Sequence, residues 1–169
     1  MSNPSKAKGT AAETAVVRWA QANGYPDADR QPPRGNRDTG DVHLGHGIGV
    51  ILEVKAYRLP PGGPTPLVLA EWMRQTEAER ANAGARIGIL VVKRPGTTDP
   101  GRWWAYVSAA VLATVAVLPV LPFEAEGVEV VWVGHPAIEA LTGPVCLPLA
   151  QLAVLLRAAG IGAPLGDTP

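Results

Sequence analysis

Residues 40–58 read GDVHLGHGIGVILEVKAYR and contain two apolar runs separated by a glycine-rich segment. The alternation of side chains predicts two β-strands joined by a turn near residues 46 and 47. In the second strand, Glu53 and Lys55 point to one face, and Leu52 points to the other. An antiparallel pairing through the turn would bring Asp41 next to Glu53 on one face of the sheet.

Three charged residues within otherwise apolar strands need a physical explanation. Burying a carboxylate or an amine costs free energy unless the group pairs with an opposite charge or binds a cation. The carboxylates of Asp41 and Glu53 would repel each other unless a divalent cation lay between them, and Lys55 would lie beside that cation. A strand with one solvent-exposed face also carries Glu and Lys close together, so the E-V-K triplet alone leaves both interpretations open.

The composition indicates one domain with a packed core and a basic N-terminal part. The chain has 169 residues, of which 47% are hydrophobic, enough for a single core. The net charge is zero, but residues 1–108 carry 14 Lys and Arg against 10 Asp and Glu, whereas residues 109–169 carry one against five. This asymmetry predicts an anionic partner on one side. With a single cysteine and no visible secretory signal, we expect a cytoplasmic protein.

Helix and strand signals alternate in an order typical of an α/β sandwich. The uncharged stretch at 105–123 approaches the length of a membrane span, but its prolines favour a strand followed by a buried helix, so we expect no membrane partner. We expect a flexible basic arm at 1–8, a core at 9–108, and an apolar C-terminal extension at 109–169 that packs on the core or forms an oligomer interface. The signals predict helices at 10–23, 65–83, 109 onward and 147–159, and strands at 41–44, 50–57, 87–92, 102–107 and 128–133.

Glu13 lies on the first predicted helix and has two interpretations. Thr10 followed by Glu13 fits a capping box, in which the glutamate bonds back to the start of the helix. The spacing of Glu13, Val16 and Ala20 instead places the carboxylate on the helix face that packs against the sheet. This second interpretation favours a contact with a metal ion or water.

Other residue types that bind metals or nucleotides do not form a recognisable site in the sequence. His43 shares a strand face with Asp41, whereas His46 falls in the turn. No third imidazole or thiol lies at a zinc-ligand spacing, so a structural histidine is preferred. The glycines at 45, 47 and 49 lack the strand–loop–helix context of a nucleotide site and predict a turn, so we expect no nucleotide cofactor. Cys146 is expected to pack as a small apolar residue.

Basic residues surround the predicted site. The loop at 30–40 is rich in Gly, Pro and Arg and directly precedes Asp41. Arginines on such a loop suit contacts with phosphate groups. Gln75, three residues after Trp72 on the second long helix, either lines the site or is an ordinary exposed glutamine. The residues expected to contact phosphate are Lys6, Lys8, Arg30, Arg34, Arg37 and Arg58.

Together these segments resemble the PD-(D/E)xK nuclease superfamily. The resemblance is carried by K-G-T-A-A-E at 8–13, G-D at 40–41 and E-V-K at 53–55, followed by a helix and an apolar strand. Within the superfamily, the K-G-x-x-x-E opening is most similar to archaeal-type Holliday-junction resolvases and to bacteriophage resolvase-like endonucleases. Two positions depart from the family pattern: Gly40 replaces a proline, and Thr14 stands where resolvases often have arginine.

The resemblance implies an α/β fold with a restriction-endonuclease-like core, in which a mixed central sheet is flanked by helices. It implies that Asp41, Glu53 and Glu13 bind Mg²⁺, for which Mn²⁺ would substitute, and that Lys55 is the catalytic lysine. It also implies a homodimer that acts on DNA. The expected function is a structure-selective endonuclease that resolves four-way junctions by paired phosphodiester hydrolysis. The alternatives are a nicking or restriction-type endonuclease and a catalytically inactive DNA-binding module.

Overall fold

The fold is α/β, with one mixed sheet between helices on both faces. The computed structural model describes residues 4–32, 39–45, 47–116, 131–132 and 143–164. The helices are α1 Pro4–Ala22, α2 Pro66–Asn82, α3 Ala109–Ala116 and α4 Leu149–Ala158. The strands are β1 Asp29–Arg30, β2 Val42–His43, β3 Val50–Lys55, β4 Ile87–Val92, β5 Trp104–Ser108, β6 Val131–Trp132 and β7 Pro144–Pro148.

Seven strands of the described residues form one sheet in the order β1-β2-β3-β4-β5-β7-β6. Only the β3–β4 pair in it is parallel; β4 is reached through α2, and every other neighbouring pair is antiparallel. The prediction that 87–92 forms a central strand is confirmed, because β4 lies fourth in the order and is covered on both faces. Its last four residues are fully buried, which explains its unbroken apolar sequence.

The two faces of the sheet have separate cores. The larger core contains Val42, Leu52 and Val54 from the hairpin, packed with the apolar faces of α1, α3 and α4. The smaller core lies on the opposite face, where Leu69 of α2 packs with Leu90, Val92 and Tyr106. The predicted alternation in the second strand is therefore confirmed: the even-numbered residues of β3 enter the larger core, and Glu53 and Lys55 lie on the α2 face.

Local capping signals explain where two of the helices begin. Thr65 is the N-cap of α2, its side chain accepts a hydrogen bond from the N–H of Val68, and Pro66 occupies the first turn. The Oγ of Ser108 accepts a hydrogen bond from the N–H of Val111 at the start of α3. A side-chain acceptor at this position satisfies an N–H that has no partner within the helix.

The first helix begins earlier than its sequence signals suggested. It starts at Pro4, so residues 4–8, predicted as part of a flexible arm, are helical. Thr10 therefore lies inside the helix, where its carbonyl accepts a hydrogen bond from the Thr14 hydroxyl. The capping-box interpretation of Glu13 is wrong, because a cap must precede the helix rather than lie in its interior.

Part of the predicted C-terminal extension belongs to the sheet. Residues 144–148 were not predicted as a strand, yet β7 pairs with β5 along its whole length. The helix that follows it contributes Leu149, Leu152 and Leu156 to the larger core. Among the described residues, no helix has the length and apolar character needed to cross a membrane. The uncharged stretch at 105–123 is described only up to residue 116, where it forms the expected strand and helix.

Candidate active site

The predicted hairpin brings Asp41 and Glu53 together. Val42 lies opposite Leu52 in the antiparallel register, so Asp41 lies opposite Glu53. The backbone N–H of Asp41 donates to the carbonyl of Leu52 at 3.0 Å, and Oδ2 of Asp41 accepts from the N–H of Val54 at 2.8 Å. Main-chain geometry, rather than a flexible loop, therefore determines where both carboxyl groups lie.

Gly40 sets the direction of the chain as it enters this site. Its φ is +87°, in the left-handed region that glycine adopts at little cost. A Cβ at this position would lie 3.0 Å from Cδ1 of Ile51 and 3.4 Å from the carbonyl of Leu52. Proline, the residue at this position in the resembled family, has φ fixed near −65°. Proline could therefore not adopt the backbone conformation that Gly40 has next to Asp41.

Lys55 and Glu53 form a buried ion pair on the α2 side of the sheet. Nζ of Lys55 lies 2.5 Å from Oε1 of Glu53, and only 14% and 8% of the two side chains are exposed. Glu79, on α2, hydrogen-bonds with Glu53 from above the sheet. Among the described residues, Lys55 therefore interacts electrostatically with three acidic residues, Asp41, Glu53 and Glu79.

This excess of acidic groups changes their protonation. Burial, together with the negative charge of Glu53 and a hydrogen bond with it, raises the pKa of Asp41 to about 7, against the opposing effects of the Val54 N–H and Lys55. Burial and the hydrogen bond with Glu79 raise the pKa of Glu53 to about 7 as well, although Lys55 opposes the shift. Without a cation, the cluster therefore retains protons near neutral pH.

Lys55 stays positively charged in this environment. Burial by itself would lower the pKa of an amine, but the adjacent Glu53 carboxylate, with Glu79 and Asp41, outweighs burial and raises the pKa of Lys55. The ammonium group is thus available as a fixed positive charge next to two carboxylates of variable protonation.

Four predicted catalytic residues line one cleft. The cleft has a volume of about 340 Å³ and opens where β3 ends. Its walls combine acidic and basic groups within one concave surface, an arrangement typical of sites that bind a charged ligand. The cleft is lined by the predicted catalytic residues Glu13, Asp41, Glu53 and Lys55, and also by Lys8, Tyr57 and Arg58.

Glu13 reaches the cleft from α1 and has a basic partner. Its Oε2 lies 3.4 Å from Nη1 of Arg30, and its side chain is 19% exposed. Buried Ala12, Val16 and Ala20 hold the helix against the sheet. Arg30, predicted to contact phosphate, is therefore placed beside the site by this ion pair.

The other residues predicted to contact phosphate, and Gln75, do not all lie at the cleft. Lys8 and Arg58 are exposed at the cleft. The side chain of Lys6, and all of Arg34 and Arg37, lie outside the part of the chain that the structure describes. Gln75 does not line the cleft, because its side-chain amide donates to Glu71 on the outer side of α2. Of the two interpretations of Gln75, the structure favours a glutamine outside the site.

Glu79 is a site residue that was not among the residues predicted from the sequence. A signal was present, because Trp72, Thr76 and Glu79 are spaced by four and three residues and so share one helix face. Trp72 packs against the smaller core and Thr76 is buried. A glutamate on the buried face of an otherwise amphipathic helix indicates a polar partner below it, and that partner is Glu53.

The donor set fits a magnesium ion that keeps part of its water shell. Mg²⁺ is commonly bound by one or two carboxylates with waters and substrate phosphates, rather than by a complete protein cage. Asp41 and Glu53 supply two adjacent carboxylates, and oxygen donors of this kind suit a hard cation. Within the described residues, no group of three or more His, Cys, Asp or Glu is arranged to hold a metal ion. The fit therefore rests on this pair.

The histidine and cysteine alternatives agree with structural roles. Nε2 of His43 hydrogen-bonds with the carbonyl of Thr39 at 2.9 Å. His46 and His135 lie outside the described residues. Cys146 packs beside the smaller core, and its burial raises its pKa to about 11 even though Tyr106 hydrogen-bonds with it. A thiol with such a high pKa is a poor nucleophile near neutral pH.

No protein-family model, no curated protein and no solved structure matches this chain at a significant level.

Proposed function

We propose that this protein is a metal-dependent endonuclease of the PD-(D/E)xK type. The observation that carries the proposal is the meeting of Glu13, Asp41, Glu53 and Lys55 in one cleft, although they come from three separate segments of the sequence. The antiparallel hairpin, the crossing helix and the parallel strand that follows it also agree with a restriction-endonuclease-like core.

Asp41 and Glu53 would hold Mg²⁺, or Mn²⁺ in its place, with the carbonyl of Val54 as a further oxygen donor. When bound, the cation supplies Lewis-acid stabilisation of negative charge on the phosphate. The two carboxyl groups must lose their shared protons to bind it. Their raised pKa values mean that this loss occurs close to neutral pH.

Lys55 supplies a positive charge next to the reacting phosphate. Its Nζ lies against Glu53, and Lys55 lines the same cleft, so the ammonium group would face a phosphate oxygen bound there. A fixed charge in a partly buried site stabilises the additional negative charge of the transition state more strongly than it would in water. Lys55 would also orient the attacking water through a donated hydrogen bond.

Glu13 and Arg30 form the outer wall of the same site. Glu13 would accept a hydrogen bond from water, either at the cation or at the phosphate. Arg30, Lys8 and Arg58 would contact neighbouring phosphates of the DNA backbone, where cationic side chains supply most of the affinity. A four-way junction as the substrate, and a homodimer that cuts it twice, are proposals carried by the resemblance at residues 8–13.

The test compares DNA substrates and cations directly. The protein is incubated with a labelled four-way junction and with a linear duplex of the same sequence, in Mg²⁺, in Mn²⁺ and in EDTA. Symmetric cutting of the junction in both cations and none in EDTA supports the full proposal. Cutting of both substrates supports the nuclease and removes junction selectivity.

Variants assign the chemistry to the cleft. Glu53→Gln and Lys55→Met should each reduce cleavage by at least about 100-fold while DNA binding persists. Glu71→Gln, an exposed glutamate on α2 outside the cleft, is the matched control and should cut like the wild type. Absence of cutting in every condition, combined with salt-sensitive DNA binding, would replace the nuclease with a DNA-binding module.

A further inference from the structure

A second cleft borders the candidate active site and shares two residues with it. It has a volume of about 450 Å³ and lies where β3 and β4 end. Tyr57 and Arg58 line both clefts. The backbone N–H of Lys93 donates to the carbonyl of Lys55 at 2.9 Å, which joins the segments that carry the two clefts. A ligand that extends from the active site can therefore continue into this second cleft.

The charge of the second cleft favours a phosphate group. Among the residues that the structure describes, its lining contains three cationic side chains, those of Arg58, Lys93 and Arg94, together with two threonines and no acidic residue. Lys93 lies over the ring of Trp103 at 5.4 Å, and Arg94 lies over the ring of Trp104 at 5.7 Å. These cation–π contacts limit the motion of both side chains and so reduce the entropy lost when they bind an anion.

Tyr57 gives the cleft an aromatic platform. Its ring stacks on that of Trp72, with centroids 5.4 Å apart and planes inclined by 20°. Although it is stacked on one side, 62% of the residue is exposed to solvent. The second face of the ring is therefore open to a ligand rather than packed in the core.

The basic side chains and the exposed Tyr57 ring together indicate which kind of nucleic acid fits the second cleft. In a duplex, the flat faces of the bases are covered by neighbouring bases, so a duplex offers no free face to Tyr57 except at its ends. An unpaired base can stack on an aromatic ring while basic residues hold its phosphates. We propose that the second cleft binds an unpaired nucleotide of a single strand next to the scissile phosphate, with Tyr57 as the stacking residue. This inference rests on the proposed nuclease function and specifies its substrate.

Binding without catalysis is the first test. Fluorescence anisotropy in EDTA measures the affinity for a labelled oligothymidylate of about 12 nucleotides and for a blunt linear duplex. Tyr57→Ala should weaken single-strand binding by about 5- to 100-fold and leave duplex binding within about twofold. Tyr57→Phe retains the ring and should bind like the wild type. Thermal unfolding of each variant confirms that the fold is intact.

The basic residues have a separate readout. In a plot of log affinity against log salt concentration, Arg94→Ala should reduce the slope for the single strand by about 0.7, the value for one lost phosphate contact. Arg74→Ala is the matched control, because Arg74 is exposed on α2 and pairs with Glu71 rather than lining either cleft. It should leave both affinity and slope unchanged.

The outcomes separate the two proposals. If the wild type cuts DNA but Tyr57→Ala binds the oligothymidylate as the wild type does, the inference about the second cleft is overturned and the nuclease stands. If the wild type prefers the blunt duplex to the single strand in EDTA, the inference is equally overturned. If no form of DNA is bound or cut, both proposals fail together.

Discussion

The N–H of Val54 donates a 2.8 Å hydrogen bond to Oδ2 of Asp41 across the β2–β3 hairpin. The bond connects one acidic residue to the strand that carries Glu53 and Lys55, so the three side chains are held in one arrangement. Rigid placement on strands is what a site needs when its groups must act within tenths of an ångström of each other.

The first prediction concerns stability as a function of pH. The pKa of Asp41 and of Glu53 is raised from about 4 in the unfolded chain to about 7 in the folded protein. The folded state therefore binds protons more tightly, and stability is lost as the pH rises from about 4 through about 7. Asp41→Asn should recover up to about 4 kcal/mol at pH 8, because the pKa of Asp41 rises from 3.8 to about 7 and one pKa unit corresponds to about 1.4 kcal/mol.

Thermal unfolding in EDTA at pH 5 and pH 8 measures this effect. The wild type should melt at a lower temperature at pH 8, and the difference should shrink in Asp41→Asn. Asp27→Asn, which alters an exposed carboxylate outside the cleft, serves as the control. An unchanged pH dependence in Asp41→Asn would show that this carboxyl titrates normally in the folded state.

The second prediction concerns Glu79. Its hydrogen bond helps to raise the pKa of Glu53, after burial. In Glu79→Gln the side-chain amide can donate to the Glu53 carboxylate and carries no charge, so the pKa of Glu53 should fall. The acidic limb of the pH–rate profile should move to lower pH by about one unit. Glu77→Gln, an exposed neighbour paired with Arg80, should leave the profile where it is, and an equal shift in both variants would contradict the assignment.

The third prediction separates the two members of the outer ion pair. Glu13→Gln should reduce cleavage by about 10- to 100-fold, the usual effect of a residue that supports a metal site from outside its ligands. Arg30→Ala removes the partner but keeps the carboxylate, so its cleavage rate should fall less and its DNA affinity should fall more. Initial rates and anisotropy on the same DNA distinguish the two effects. Equal losses of rate in both variants would indicate that only the ion pair matters.

The fourth prediction tests the backbone beside Asp41. Gly40→Ala places a Cβ at φ +87° and close to Ile51, which should lower the free energy of unfolding by about 1–2 kcal/mol. Gly62→Ala is the matched control, because no atom lies within 4 Å of its added Cβ. Gly40→Pro should be more harmful still, because proline cannot adopt a positive φ. Urea denaturation gives the free energies, and a stable Gly40→Pro protein would contradict the positive φ.

Local patterns in the sequence determined much of the fold. The period-two alternation at 50–55, the Thr65-Pro66 start of α2 and the unbroken apolar run at 87–92 each predicted the element that forms. These signals work because they depend on residues that are close in sequence, where strand and helix periodicity decides which side chains share a face. The pairing of Asp41 with Glu53 was also predictable, because a short hairpin leaves few alternative registers.

Only the tertiary structure decided which distant segments meet. The strand at 144–148 is bounded by two prolines, which disfavour a strand in the interior of a sheet. It forms because its backbone pairs with β5 along its whole length, a contact that the local sequence does not signal. Glu79 of α2 reaches Glu53 on β3, and Tyr57, which follows β3, lines a cleft with Lys93 and Arg94, which follow β4. Such contacts depend on the strand order of the whole sheet, and the hydrophobic periodicity of a single segment does not determine that order.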